Sequence, residues 1–268
     1  MALVAATCSG STDPSIEVRP NWGTVFEAEG AVGTIAVHRV GSDRIEVYDE
    51  ARATTPRIPA STFKILNSLI ILETGAMPDV DTEMAWDGVD RGIEIWNRDH
   101  SLRSGIEVSA VWLYQALARE VGTSRMAELV SEVGYGNTDI GGEIDRFWLD
   151  GDLRIDAIEQ VEFLTRLVTD DLPFRAEVTA SVRDILVRQS GDGWSWSHKT
   201  GTSLSSTPNL GWLVGTTHHG DEHWVFALNI DLEPVNDVGS QLDPQARQRI
   251  ARKILEQVGA LPTGVATP

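Results

Sequence analysis

Short runs of β-branched and aromatic residues lie near both ends of the chain, whereas its middle repeats apolar residues every three or four positions. Such runs predict strands, and such spacing predicts helices. Four stretches have the strand pattern: 31–38, 44–48, 210–217 and 223–231. Five have the helical pattern: 61–74, 109–121, 123–133, 155–168 and 177–187. A last amphipathic helix is predicted to start at Asp243-Pro244, with these residues facing inward: Ala246, Ile250, Ile254, Leu255 and Val258.

This order of elements predicts an α/β (α+β) fold with two subdomains. The terminal strands and the last helix would form a mixed part, about 21–58 and 188–268, and the middle would form an all-helical part, about 59–187. A cleft is expected where the two parts meet. Residues 1–20 are predicted to be a flexible N-terminal segment, which leaves 21–268 as a single domain.

Composition narrows the classes of partner. The formal net charge of −18 over 268 residues argues against binding to nucleic acid or to anionic membranes. Cys8 is the only cysteine, so an internal disulfide and a cysteine metal site are excluded. No apolar run approaches the ~20 residues that cross a bilayer. The apolar start 1–8 is a trimmed export signal, a lipoprotein-like end anchored at Cys8, or, as we favour, a disordered terminus.

Lysine is rare in this chain, and its placement is informative. Only three lysines stand beside 19 arginines, and one of them follows Ser61 by three residues, in Ser61-Thr62-Phe63-Lys64. Residues three apart on a helix share a face, so the two side chains can touch. Apolar neighbours would lower the pKa of Lys64 and let its amine act as a base toward the serine. Alone, Ser-x-x-Lys is a weak signal, because it occurs widely on exposed helices.

Three further elements strengthen that signal by their order. A second lysine lies in Lys199-Thr200-Gly201, where strand-like sequence would present it at a cleft. Ser109-Ala110-Val111 stands at a predicted helix start, and Tyr135-Gly136-Asn137 follows a predicted helix end. The three histidines at 218, 219 and 223 straddle a hairpin turn rather than one helix face, so we predict no metal site there.

Together the four motifs resemble the penicillin-recognising serine enzymes, and specifically the class D (oxacillinase-type) β-lactamases. Three longer stretches share the likeness: Pro59 to Ile65, Phe147 to Gly151 and Ala157 to Leu164. The resemblance covers about 31–255 and implies a serine β-lactamase/transpeptidase-like fold. That fold has an antiparallel sheet flanked by helices, a helical subdomain, and the active site in the cleft between them.

The resemblance also implies a mechanism. Ser61 would attack the lactam carbonyl and become acylated. Lys64, carboxylated on its amine by CO2 or bicarbonate, would be the general base for both acylation and deacylation. Trp148 would donate its indole N–H to that carbamate, and Val111 would keep the pocket apolar. Apart from this modification, no cofactor and no metal are expected.

Other roles follow from the same resemblance. Ser109 and Lys199 would relay a proton to the lactam nitrogen, and the backbone N–H groups of Ser61 and Thr202 would form the oxyanion hole. Thr200 and Arg247 would bind the substrate carboxylate, although Arg249 is close enough to compete for that assignment. The residues assigned to substrate binding are Thr200, Gly201, Thr202, Arg247, Tyr135 and Asn137.

Three alternatives share some of these motifs. A penicillin-binding sensor would be acylated without turnover, but such domains normally hang from a membrane-spanning protein. A cell-wall D,D-peptidase is disfavoured because the chain has Ser109-Ala110-Val111 where Ser-x-Asn is expected. A class C enzyme could use Tyr135-Gly136-Asn137, but the chain is short for that class. Our expectation is an exported enzyme that acts on a small β-lactam, with its substrate spectrum and oligomeric state left open.

Overall fold

One mixed sheet organises the protein. The structure is a computed structural model that describes residues 14–232 and 245–264. Within these residues the strands lie in the order β1-β3-β2-β7-β6-β5-β4. Their bounds are β1 Ser15–Val18, β2 Gly33–Arg39, β3 Arg44–Tyr48, β4 Val187–Gly191, β5 Trp194–Ser203, β6 Leu210–His219 and β7 Glu222–Asp231.

Helices cover both faces of this sheet. Their bounds are α1 Gly23–Ala28, α2 Glu50–Ala53, α3 Lys64–Thr74, α4 Leu102–Glu107, α5 Val111–Val121, α6 Thr123–Val133, α7 Ala157–Val168, α8 Ala176–Leu186 and α9 Ala246–Gln257. Short 3-10 turns lie at Pro20–Trp22, Ala60–Phe63 and Glu94–Trp96. The α/β class and the helical middle predicted from the sequence are confirmed.

The neighbouring strands are antiparallel, as predicted, except that β1 pairs with β3 in parallel. This edge strand corrects the prediction of a flexible segment over 1–20, because residues 15–18 form part of the sheet. Two contacts anchor the strand. The backbone N–H of Ser15 donates to Asp43 at 2.9 Å, and Arg44 pairs with Glu17 at 2.8 Å. Residues 1–13 lie outside the described part of the chain.

The two sheet faces bury separate cores. Ala36, Val214 and Ala227 point toward the helical block and join its large apolar cluster. On the opposite face, Trp196 and Phe226 pack with α1 and α9. The predicted inward face of α9 is confirmed at Ala246, Ile250, Ile254 and Leu255, which are buried, while Val258 is only partly buried. The predicted start at Asp243-Pro244 lies outside the described residues.

Two predicted helices begin later than expected, and both differences matter for chemistry. Residues 60–63 form a 3-10 turn before α3, and Ser109 stands two residues ahead of α5. The predicted hairpin at Gly220 is confirmed, with the rings of His218 and His223 side by side across it. Among the described residues, no helix is long and apolar enough to cross a membrane.

Candidate active site

Ser61 lies in a tight turn that the sheet and α7 hold in place. The preceding Ala60 has a φ of 49°, a conformation that non-glycine residues rarely adopt and that is often found at functional sites. Thr62 Oγ1 donates to the Pro59 carbonyl at 2.8 Å and accepts from Gln160 Nε2 at 3.0 Å. These bonds fix the turn while Ser61 remains 9% exposed, which is enough for a small ligand to reach it.

Lys64 is fully buried beside this serine. Its Nζ lies 2.8 Å from Ser61 Oγ, the contact expected for two residues one helical turn apart. Among the described residues, no acidic group offsets this burial. Burial therefore lowers the pKa of Lys64 from 10.5 to about 7. A large fraction of the amine is neutral at neutral pH, so it can accept a proton or react as a nucleophile.

Trp148 supplies an unused donor next to the same turn. The side chain is fully buried, and its ring stacks on Phe63, the residue before Lys64, at 5.4 Å between centroids. Its Nε1 has no hydrogen-bond partner in the part of the chain that the structure describes. A buried donor without an acceptor costs about 1–3 kcal/mol, so this N–H favours an acceptor that the protein itself does not provide.

A second hydroxyl–amine pair joins the helical block to the sheet. Lys199 on β5 donates from Nζ to Ser109 Oγ at 2.5 Å and to the Thr200 carbonyl at 3.0 Å. Ser109 has a φ of 57°, another strained position at the cleft. Burial, followed by the charges of Lys64, Arg188 and Arg247, holds the pKa of Lys199 well below its usual range. The lowered pKa makes the protonated Lys199 a stronger acid, and Ser109 Oγ is in hydrogen-bond contact to receive its proton.

Gly201 and Arg247 form the far wall of the cleft. A Cβ on Gly201 would meet the Pro59 carbonyl at 3.0 Å and Thr62 at 3.1 Å, so glycine lets β5 approach the Ser61 turn. Arg247 Nη1 donates to the Gly201 carbonyl at 3.0 Å and to Thr202 Oγ1 at 3.3 Å. Arg249 instead pairs with Glu29 at 2.7 Å. The two arginines are thereby distinguished, and only Arg247 lies against β5.

The other predicted site residues have different surroundings. Val111 begins α5 and is partly buried. Tyr135 packs edge-on against Phe63 and Phe163 and is only 1% exposed, so its ring belongs to the core, and its contact with substrate stays a prediction. Asn137 is exposed, and its side-chain amide bonds to the backbone of Asp152 and Arg154, which supports the loop; its contact with substrate stays a prediction.

Two residues at the cleft were not identified from the sequence. Gln160 holds Thr62, but it lies on a helix with no motif of its own. His198 precedes Lys199 on β5 and is buried with both ring nitrogens unpaired. Only its place in a strand next to a lysine motif could have drawn attention to it. Within the described residues, no group of three or more histidine, cysteine and acidic side chains could hold a metal ion.

A serine beside a buried lysine, with a second lysine on a strand paired to another serine, is typical of the penicillin-recognising serine enzymes. Comparison with known proteins gives the same class, since residues 26–256 match the penicillin binding protein transpeptidase domain. The chain is 38% identical over 256 residues to β-lactamase OXA-5 of Pseudomonas aeruginosa, which covers 94% of both chains. It is 43% identical over 201 residues to the probable β-lactamase YbxI of Bacillus subtilis, which covers 74% of both.

A similar solved structure narrows the family to which the chain belongs. The class D β-lactamase YbXI from Nostoc superposes with a TM-score of 0.85 at 38% identity, over 91% of this chain and 100% of that one. The chain belongs to the class D β-lactamases, within the penicillin-binding transpeptidase family. The resemblance seen in the sequence is confirmed.

Proposed function

We propose that this protein hydrolyses β-lactams through an acyl-enzyme on Ser61. The observation that carries this proposal is the buried Lys64 amine, 2.8 Å from Ser61 Oγ and with its pKa lowered to about 7. A serine hydroxyl needs a nearby base to become a nucleophile, and a lysine is suited to that task only when burial has made it neutral. The family relationship supports the same reaction.

Each step uses side chains that the cleft brings together. Ser61 Oγ attacks the lactam carbonyl carbon and passes its proton to the base at Lys64. The lactam C–N bond then breaks, and the nitrogen takes a proton from Lys199 through Ser109 Oγ. The proton that Lys64 took from Ser61 then passes to Lys199, which restores both groups. In the second half-reaction, water gives its proton to the base at Lys64 and attacks the ester carbonyl. Ser61 leaves with a proton returned from Lys64, and the ring-opened acid departs.

We propose that Lys64 performs these transfers as an N-carboxylated residue. Its neutral amine adds CO2 and loses a proton, which forms one N–C bond and leaves an anionic carboxylate at Nζ. Two observations among the described residues support a carboxylated lysine at this site. They are the lowered pKa of Lys64 and the buried Trp148 Nε1, which lacks an acceptor. Trp148 would donate to one of the added oxygens. Val111 and Phe63 would exclude the water that favours loss of CO2.

Substrate would be held by β5 and α9. Arg247, which is 8% exposed and forms no ion pair among the described residues, would bind the substrate carboxylate with Thr200. Arginine favours this role because it can donate two parallel charge-assisted hydrogen bonds. The backbone N–H groups of Ser61 and Thr202 would receive the negative oxygen of the tetrahedral intermediate, where one donor typically contributes about 10²–10³ in rate. Since β-lactams act outside the cytoplasm, we also propose that the protein is exported.

Turnover of a chromogenic cephalosporin, with and without bicarbonate, tests this function. We expect sustained hydrolysis that rises several-fold when bicarbonate is added to degassed buffer, and no lasting adduct in the intact mass of the protein. One equivalent of stable adduct without turnover would instead indicate a penicillin-binding sensor. Release of D-alanine from a cell-wall peptide would indicate a D,D-peptidase. Absence of both adduct and turnover would overturn the proposal.

Trp148→Phe tests the carboxylated lysine directly. The change keeps an aromatic ring but removes the indole N–H, so we expect kcat without added bicarbonate to fall about 10–100-fold, the loss of one strong hydrogen bond to a charged group. Acyl-enzyme should accumulate in the intact mass, and bicarbonate should restore part of the rate. Trp196→Phe is the control, because this tryptophan also has a buried, unpaired N–H but lies in the other core. Equal losses in both variants would contradict the assignment.

A further inference from the structure

His198 is a buried polar residue that the proposed reaction does not use. It stands on β5 immediately before Lys199, is 6% exposed, and packs against Trp196 at 4.8 Å between ring centroids. Neither ring nitrogen has a hydrogen-bond partner within residues 14–232 and 245–264. Burial, followed by the charges of Arg188, Lys199 and Arg247, lowers the pKa of His198 to about 3. The ring is therefore neutral, with one N–H donor and one acceptor to offer.

A cavity of about 280 Å³ lies beside this ring. It is lined by Glu107, Arg188, His198, Lys199, Thr200 and Arg247. Three of these side chains are basic and one is acidic. Arg188 Nη1 donates only to the backbone carbonyls of Ile185 and Val187, at 2.8 and 3.2 Å. Buried Arg247 Nε is also without a partner. Among the described residues, neither Arg188 nor Arg247 forms an ion pair, so the cavity has positive charge available for an anion.

The position of the cavity indicates where that anion comes from. Thr200 and Arg247 line it, and the proposed function assigns these two residues to the carboxylate of the substrate. A group on the ring atom next to the carboxylate-bearing carbon is only a few bonds from that carboxylate. Such a group would lie at the entrance of this cavity when the substrate is bound.

We propose that the cavity is a second anion-accepting subsite, which takes an acidic substituent on the ring atom adjacent to the carboxylate-bearing carbon. The inference rests on the proposed function and narrows its substrate class to cephalosporin-type β-lactams with a second acid at that position. His198 would donate its ring N–H to the substituent, and Arg188 would supply the charge. Both are specificity residues, since neither contacts the reacting atoms.

The test uses two cephalosporins that share one acyl side chain. One carries an acrylic acid on the ring atom beside the carboxylate-bearing carbon, and the other carries the matching acrylamide, which is neutral and nearly the same size. For the unmodified protein we expect kcat/KM to be about tenfold higher for the acid, through a lower KM, because charge-assisted hydrogen bonds are the stronger ones. In His198→Ala and in Arg188→Met, the ratio should fall to near one, with the amide within about twofold of its original kcat/KM.

The possible outcomes distinguish a failure of the proposed subsite from a failure of the proposed function. His223→Ala, on an exposed histidine of β7, is the control and should leave the acid-to-amide ratio unchanged. A ratio unaffected in both test variants, or a proportional loss for both compounds, would overturn the subsite while β-lactam hydrolysis stands. Arg188→Met keeps the subsite testable if the buried His198→Ala variant does not fold. No turnover of either compound by the unmodified protein would overturn the proposed function, and the subsite with it.

Discussion

Ser61→Ala should abolish β-lactam turnover, with a loss of kcat on the order of 10⁴-fold or more. The substitution removes the oxygen that forms the acyl bond and leaves the turn intact, since Thr62 and Gln160 hold that turn through their own hydrogen bonds. Steady-state hydrolysis of a chromogenic cephalosporin measures the loss. Intact mass after mixing should show no adduct, whereas the unmodified protein should show a transient one.

The matched control for this change is Ser181→Ala. Ser181 lies on α8, where its Oγ donates to the Glu177 carbonyl one turn earlier at 2.7 Å. Removal of this hydroxyl should keep kcat/KM within about twofold. Retention of hydrolysis in Ser61→Ala, with Ser181→Ala equally active, would show that another group is the nucleophile and would end the serine mechanism.

The part of the site that follows from short-range order could be predicted from the sequence. Ser61 and Lys64 are three residues apart, so any helical or 3-10 turn brings them together. The contact between Ser109 and Lys199 is different, because it joins a loop before α5 to the middle of strand β5. Periodicity alone does not specify such a contact. The family resemblance supplied it, and the structure shows the two side chains in contact.

Elements with weak hydrophobic patterns escaped prediction. Strand β4 reads Val-Arg-Gln-Ser-Gly and lies at one sheet edge, where polar residues are tolerated because one side faces solvent. Strand β1, which lies at the other edge of the sheet, escaped prediction for the same reason. The burial of individual side chains could not be predicted from the sequence either. Tyr135 appears in a motif that allows a substrate contact, but only the packing of Phe63 and Phe163 around it shows that the side chain is closed off.

The Arg247 assignment shows what tertiary structure adds to a motif. Arg247 and Arg249 are two residues apart on one helix, and helical geometry directs them to different faces. In the structure, Arg249 pairs with Glu29, whereas Arg247 donates to β5 and has no carboxylate partner among the described residues. A buried arginine without an anionic partner is costly, and burial lowers the pKa of Arg247 to about 10. That cost is offset when an anionic substrate binds, which is why Arg247 rather than Arg249 suits the carboxylate.

Lys64→Met should separate catalysis from stability. Methionine keeps most of the side-chain volume but provides neither a base nor an amine that CO2 can modify, so we expect kcat to fall on the order of 10³–10⁴-fold. Added bicarbonate should have no effect on the residual rate. The exposed Lys253→Met on α9 is the control and should keep both the activity and the response to bicarbonate.

The stability of the same variant should change in the opposite direction. The pKa of Lys64 falls from 10.5 to about 7 on folding, so the folded state binds fewer protons between those values and stability rises with pH across that window. At and below pH 7 the full cost of burying the amine is present. Lys64→Met removes that cost, so its Tm in bicarbonate-free buffer at pH 6 should exceed that of the unmodified protein, with the difference shrinking toward pH 10. A lower Tm at pH 6, together with lost activity, would mean that Lys64 supports the fold rather than the chemistry.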